Sequence, residues 1–340
     1  MSNTYAKLSS IDKNFIRKEK YMNKKNTSIF IIYFSILFFI SFLAGSCTIS
    51  SLVGEKSNIA KPKKDINEEL YRKISEYGSQ HRIEPINANV DRVWKAIPGY
   101  NGKEVDVEAS YNNMEKDGEF DEIQIVYKEI SPEIHLDDLG PDPIYKGNPQ
   151  KPMVSLLINV AWGNEFIPKI LNTLDNNNTK ATFFFDGSWV KKNPDIAKSI
   201  HESGHEIGNH AYSHPDLKQY SKEKTIEELE KTNDIIDETI NTKPKWFAPP
   251  SGSYNDTTVQ VAEELGMKTI LWTVDTVDWR NPETQSMIAR VVGEVSNGSM
   301  ILMHPTKPTE EGLDAIIAEI KKKGLQLGTV SDLMNEKRID

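Results

Sequence analysis

The sequence predicts an α/β protein whose C-terminal half is a distorted, incomplete barrel of seven parallel β/α units, preceded by a small α+β region. Three observations carry that prediction. From residue 153 onward, short apolar runs alternate with amphipathic segments in a regular order, the pattern of parallel strands covered by helices. Between 68 and 130, helix-like spacing gives way to period-two alternation. The first 54 residues, with a basic start and an uncharged apolar core, differ from both.

Taken in order, residues 1–47 read as a membrane-directed signal. No charged residue occurs from 26 to 54, and 29–43 is almost wholly aliphatic or aromatic. That run is short for a span and suits a signal core. It is followed by Leu43-Ala44-Gly45-Ser46-Cys47, small residues ending in the only cysteine. The pattern resembles a bacterial lipobox, which would make Cys47 a lipidated N-terminus on the outer face of the membrane; the other reading is an uncleaved signal anchor. Translation from Met22 would give a signal of ordinary proportions. A single cysteine leaves the exported body without an internal disulfide.

The formal charge is −9, but the first 28 residues hold seven Lys and Arg against two acids, which leaves −14 on the rest. An acidic body argues against nucleic acid, whose phosphates need compensating cations.

Residues 48–67, rich in Lys, Asn and Pro, read as a tether. In the 68–150 region, Leu70, Ile74 and Tyr77 predict one helix, and Val90, Val93, Trp94 and Ile97 a second one ended by Pro98-Gly99. Val105, Val107 and Ala109, then Ile123, Ile125 and Tyr127, predict two strands joined across Asp117-Gly118. A proline-punctuated connector spans 132–152. Within 151–340, strands are expected at 154–161, 181–185, 206–209, 245–248, 268–274, 299–303 and 328–330. The intervening helices fall at 167–174, 195–203, 225–239, 257–265, 282–295 and 311–323. In such a fold, functional residues follow the C-terminal ends of strands.

Three segments at such ends carry chemistry. Gly208-Asn209-His210-Ala211-Tyr212-Ser213-His214-Pro215 sets two imidazoles four residues apart, a spacing that suits a divalent metal and also arises by chance. The other two are Asp275-Thr276-Val277-Asp278-Trp279 and Leu302-Met303-His304. With Ala181-Thr182-Phe183-Phe184, Gly204-His205-Glu206-Ile207-Gly208 and Gly298-Ser299-Met300-Ile301, they make residues 153–335 resemble the polysaccharide deacetylases (NodB homology), carbohydrate esterases on a distorted (β/α) barrel. The whole chain further resembles their sporulation-associated Gram-positive members.

The resemblance implies a metal, usually zinc, held by an Asp and two His, which polarises an acetamide carbonyl and activates a water. A carboxylate base serves that water, and a histidine protonates the leaving amine. Residue by residue, His210 and His214 match the metal-binding histidines and His304 the histidine acid. Asp278 and Asp275 match carboxylates of which one orients that acid. Trp279 and Leu302 match walls of the acetyl pocket, and Pro250 lies in the third motif beside it.

The match breaks at the first motif. The family ends its opening strand Thr-Phe-Asp-Asp-Gly; this chain reads Asn159-Val160-Ala161-Trp162-Gly163. Ala161 replaces the base and Trp162 the metal-binding Asp, and neither can do that work. The family's Arg-Pro-Pro-Tyr-Gly reads Ala248-Pro249-Pro250-Ser251-Gly252, so the arginine that positions the base is Ala248. An arginine without its carboxylate would be an unpaired charge, so the two losses belong together. Asn159, Asn164, Glu165 and Asp186 lie near strand ends as stand-in ligands.

Besides the bland reading of a structural envelope lipoprotein whose barrel is only a scaffold, two functions are expected. One is metal-dependent hydrolysis of N-acetyl groups on amino sugars of peptidoglycan or a similar wall polymer, on the outer face of the membrane. The other is a silent relative that binds wall glycan or a partner through the old groove, with Trp162 free to stack on a sugar.

Overall fold

The computed structural model describes residues 67–339. The signal, Met22, Cys47 and nearly all of the tether lie outside the described residues. The described residues belong to one compact unit.

The N-terminal region opens on α1 (Glu68–Gln80), whose first turn is capped by the Asn67 side chain accepting from the Leu70 amide. A hairpin of β1 (Asn89–Asp91) and β2 (Lys95–Ile97) follows, then β3 (Gly102–Val105), α2 (Val107–Met114) and β4 (Tyr127–Ile130), with β3 antiparallel to β4. Leu70, Ile74, Val105, Tyr111 and Met114 form its own small core.

Three expectations fail here. The helix expected at Val90 to Ile97 is the β1–β2 hairpin, whose tip is closed by Asp91 Oδ1 accepting from the amides of Val93 and Trp94. Val90 and Val93 are exposed, so their spacing marks no buried stripe. The strand expected through Val107 and Ala109 is α2, because Asp106 caps it by accepting from the Ala109 amide. Ile123 lies in a 3₁₀ turn and is 93% exposed; the partner strand starts only at Tyr127.

The C-terminal part runs β5 (Met153–Val160), α3 (Ile167–Asn176), β6 (Thr182–Phe185), α4 (Gly187–Lys192), α5 (Pro194–Glu202), β7 (Glu206–Asn209), α6 (Lys222–Ile240), β8 (Trp246–Phe247), α7 (Asp256–Glu264) and β9 (Lys268–Thr269). It continues with β10 (Val274–Asp275), α8 (Thr284–Glu294), β11 (Met300–Met303), α9 (Lys307–Lys322), β12 (Gln326–Gly328) and α10 (Val330–Met334). All strand pairs are parallel, in the order β10-β11-β5-β6-β7-β8-β9, and β12 pairs with the first residues of β5.

The single strand expected at 268–274 is two short strands at opposite edges of the sheet. From Thr269 to Val274 the chain can span at most about 18 Å, yet seven strands laid flat would separate the edges by about 29 Å. The sheet must therefore curl, and the incomplete barrel follows from the strand order alone. Ile144 in the connector bridges both Lys95 and Ile270, so the β1–β2 hairpin continues the sheet past β9.

Alternation along β5 divides two cores. Val154, Leu156, Ile158 and Val160 pack with Ile167, Ile170, Ile316, Ile317 and Ile320 of the helical layer. Met153 and Leu157 pack inside the curl with Phe184, Ala248, Ile270 and Met300. Asn159 shares the parity of Leu157, so it faces inward at the strand's C-terminal end.

Candidate active site

The loops after β5, β7, β8, β10 and β11 meet at the C-terminal ends of the strands around a cavity of about 320 Å³. It is lined by Asn159, Trp162, His214, Ser251, Trp272 and Asp275, with Trp279, Leu302 and His304 completing the wall. A larger depression of about 620 Å³ lies at the other ends of β8 and β9, against Trp246 and Lys268. It holds none of the expected site residues, and the smaller cavity holds the chemistry.

The best-built part is the Asp278–His304 pair. Asp278 is fully buried, and its Oδ1 lies 2.8 Å from His304 Nδ1. Its Oδ2 accepts from the His304 amide at 2.6 Å and from the hydroxyls of Thr309 at 2.7 Å and Thr306 at 3.2 Å. Burial pushes this carboxyl up, but the bonds from the His304 ring, Thr309 and the His304 amide outweigh it and hold it below the usual carboxylate range. The second nitrogen of His304 is thereby left for the cavity. Asp275 Oδ1 accepts from the Val277 amide, at 2.8 Å, and closes the turn.

His210 is buried at the end of β7. Its Nδ1 faces the Ala248 carbonyl at 2.7 Å, and since a carbonyl only accepts, Nδ1 carries the proton and Nε2 the lone pair. Burial pushes its pKa down to about 3, so the ring is neutral. The His214 ring stands 5.2 Å from it, edge to face. Ala211, His214, Ser251 and Val277, all in these loops, take left-handed φ of 58°, 55°, 54° and 53°. Each such residue costs of order 1–3 kcal/mol, a strain that packing must hold in place.

Trp162 decides what the site can do. Its indole stacks on His304, with ring centroids 5.3 Å apart and planes at 15°. It also meets His214 edge-on at 6.3 Å. The Gly163 beside it has φ +82°, and a Cβ there would sit 1.9 Å from the Pro305 carbonyl oxygen. Glycine is therefore required by the turn whatever precedes it, which accounts for its presence where both carboxylates are gone.

The residues do not fit a tightly held zinc. His210 and His214 supply two ring nitrogens, and among the described residues no group of three or more His, Cys, Asp or Glu is placed to hold an ion. The expected stand-ins are engaged elsewhere. Asn164 bonds Asn193 and Trp189. Asp186 caps α4 by accepting from Ser188 and the Trp189 amide, and burial raises its carboxyl. Glu165 is exposed. Of these four only Asn159 reaches the cavity, and its Oδ1 is buried with no hydrogen-bond partner among the described residues.

Of the residues singled out in the sequence, Trp162, His214, Asp275, Trp279, Leu302 and His304 line the cavity. Asp278, His210 and Pro250 are buried and do not line it. Ala161 is half-buried at the end of β5. Sequence reasoning passed over Trp272 and Ser251 as wall residues. Trp272 sits in the crossing from β9 to β10, where the sequence predicts one continuous strand.

The family model for polysaccharide deacetylase matches residues 146–270. Uncharacterized protein YlxY of Bacillus subtilis is 48% identical over 311 residues, covering 90% of this chain and 96% of that protein. A peptidoglycan-N-acetylglucosamine deacetylase of Bacillus cereus is 34% identical over 194 residues, covering 56% of this chain and 70% of its own. Among solved structures, a CE4 family pseudoenzyme from Bacillus anthracis is 49% identical with a TM-score of 0.74, covering 80% of this chain and 96% of that one. A mutant described as having restored enzymatic activity is 47% identical, also at 0.74, covering 79% of this chain and 99% of its own. Sequence, curled sheet and surviving motifs agree, and the chain belongs to the polysaccharide deacetylase family of carbohydrate esterases.

Proposed function

We propose that this protein is a catalytically silent deacetylase relative that binds N-acetylated amino-sugar glycan of the cell wall, held on the outer face of the membrane by its N-terminal segment. The observation that carries the reading is Trp162, an indole lying on the ring of His304 at the position of the family's metal-binding carboxylate. Hydrolysis needs a base, and Ala161 offers none. It needs a polarising cation, and two imidazoles beside an indole, with no carboxylate, are a poor cage for one.

What remains suits a sugar. Trp162, Trp272 and Trp279 border one cavity, and indole faces take the C–H faces of pyranose rings. The carboxamide of Asn159, whose Oδ1 has no partner among the described residues, carries a donor and an acceptor side by side, the complement of an acetamido group; an unpaired buried oxygen costs about 1–3 kcal/mol, which a ligand amide would relieve. His304, oriented by Asp278, adds a hydrogen-bonding nitrogen. The relatives support the polymer class, since one is a peptidoglycan-N-acetylglucosamine deacetylase, and the pseudoenzyme supports the silence. The uncharged run at 29–43 ending near Cys47 supports the location.

The test is calorimetric titration of the protein with N-acetylglucosamine oligomers. Binding is expected to weaken about tenfold in Trp162→Ala, the loss of one stacking face, and to favour acetylated over deacetylated oligomers by a margin that Asn159→Leu removes. Unchanged affinity in Trp162→Ala would sink the reading.

A further inference from the structure

A trail of aromatic side chains leads from the cavity onto the N-terminal region. Trp272 lines the cavity, and the loop after β8 lies against its ring: a Cβ on Gly252 would come within 2.8 Å of the indole edge. Ser251 of that loop is itself a cavity wall. Three residues on, the Tyr254 hydroxyl lies 2.9 Å from that of Tyr145 in the connector. The Tyr145 ring in turn meets Trp94 edge-on at 6.4 Å. Trp94 sits at the tip of the β1–β2 hairpin, 38% exposed, and Lys146 holds its ammonium 5.6 Å from the Trp94 ring centre.

An exposed indole fixed by an aromatic edge on one side and a cation on the other keeps its orientation in solvent, so little rotamer entropy is left to lose when a ring stacks on it. The hairpin is also anchored to the barrel, because Ile144 bridges both Lys95 and Ile270. The aromatic surface is thus continuous with the cavity rather than a separate patch. Paired tyrosine hydroxyls midway along it give donors and acceptors to sugar hydroxyls, and Lys146 gives a counter-charge to an acidic substituent.

We propose that Trp94, Tyr145 and Tyr254 form an extended subsite that receives further units of the polysaccharide whose N-acetylated sugar occupies the cavity. The N-terminal region then works as a ruler, distinguishing a long glycan strand from a short fragment. This rests on the glycan-binding reading above, and the ligand class is the same: a chain of N-acetylated amino sugars.

The test compares N-acetylglucosamine dimer and hexamer binding to the full chain, by calorimetry, in wild type and Trp94→Ala. The hexamer is expected to bind wild type at least about tenfold more tightly than the dimer, with most of that gain lost in Trp94→Ala and dimer affinity unchanged. Trp94→Phe, which keeps a stacking face, is expected to retain part of the gain; matching melting temperatures exclude misfolding. Equal affinity for dimer and hexamer, or a gain that survives Trp94→Ala, overturns the subsite while leaving the cavity reading intact. Failure of wild type to bind either oligomer overturns both.

Discussion

The cavity wall built from the loops after β10 and β11 keeps a complete hydrogen-bond network. The wall built from the ends of β5 and β8 keeps none of the charged groups the family places there. On the first side, Asp278 is sealed from solvent and shared among the His304 ring, the His304 amide, Thr306 and Thr309. Removing any partner would leave a buried polar group unsatisfied, at a cost in stability that is independent of catalysis. On the second side Ala161 is half-buried and Trp162 exposed, so the two carboxylates could go without opening a hole in the core. Ala248 is itself well packed, and its carbonyl still receives His210. A surviving motif therefore reports what the fold needs, and a surviving reaction must be argued from the side that the fold does not need.

The largest effect expected from breaking this contrast is a gain. Restoring the second wall with Ala161→Asp, Trp162→Asp and Ala248→Arg together should create zinc binding and raise amine release from N-acetylglucosamine oligomers by about 100-fold or more over the native protein. Each substitution alone should do little, because base, ligand and orienting arginine act as a unit. Metal analysis and a fluorogenic amine assay on the four proteins would show it; an active single variant would mean that the walls are not divided in this way.

A smaller effect concerns stability. Asp278→Ala should cost about 3–5 kcal/mol in urea unfolding, since it strands a buried histidine and two threonines. Asp275→Ala, with one turn bond at a half-buried site, should cost under about 1 kcal/mol. Comparable losses would contradict the assignment of structural weight to the first wall.

A further effect is the acid response. Burial pushes His210 down to about 3 and His205 to about 4, so both are neutral in the fold but take up protons when unfolded below about pH 6.5. The unfolded state then binds more protons, and stability falls as pH drops from 6.5 towards 4. The depressed Asp278 carboxyl adds stability above its unfolded pKa, and that contribution is lost only at lower pH, as the folded value is passed. Unfolding free energies between pH 7 and 4.5 should show a slope that flattens in His205→Gln; a flat wild-type profile would contradict the neutral assignment.

The barrel half was legible in the sequence because buried parallel strands leave apolar runs, as in β5, and because its site residues sit at fixed places after strand ends. The hairpin at Trp94 was not, since Val90 and Val93 imitate helical spacing while facing solvent. Nor was α2, where one capping aspartate at 106 overrides an apparent alternation of Val105, Val107 and Ala109. The division of 268–274 into two strands was hidden because period and composition do not record which edge of a sheet a residue joins, and Trp272 was overlooked with it. Trp162 was legible as a loss, but its stacking on His304 depends on how two separate loops pack.

The central claim is that this site holds an acetylated sugar without hydrolysing it. The most direct measurement follows amine release from N-acetylglucosamine hexamer by the native chain at saturating zinc, with Trp162-dependent binding of the hexamer monitored in the same sample. Saturable binding with release indistinguishable from the protein-free blank is the predicted result. Steady release that scales with bound hexamer would contradict it.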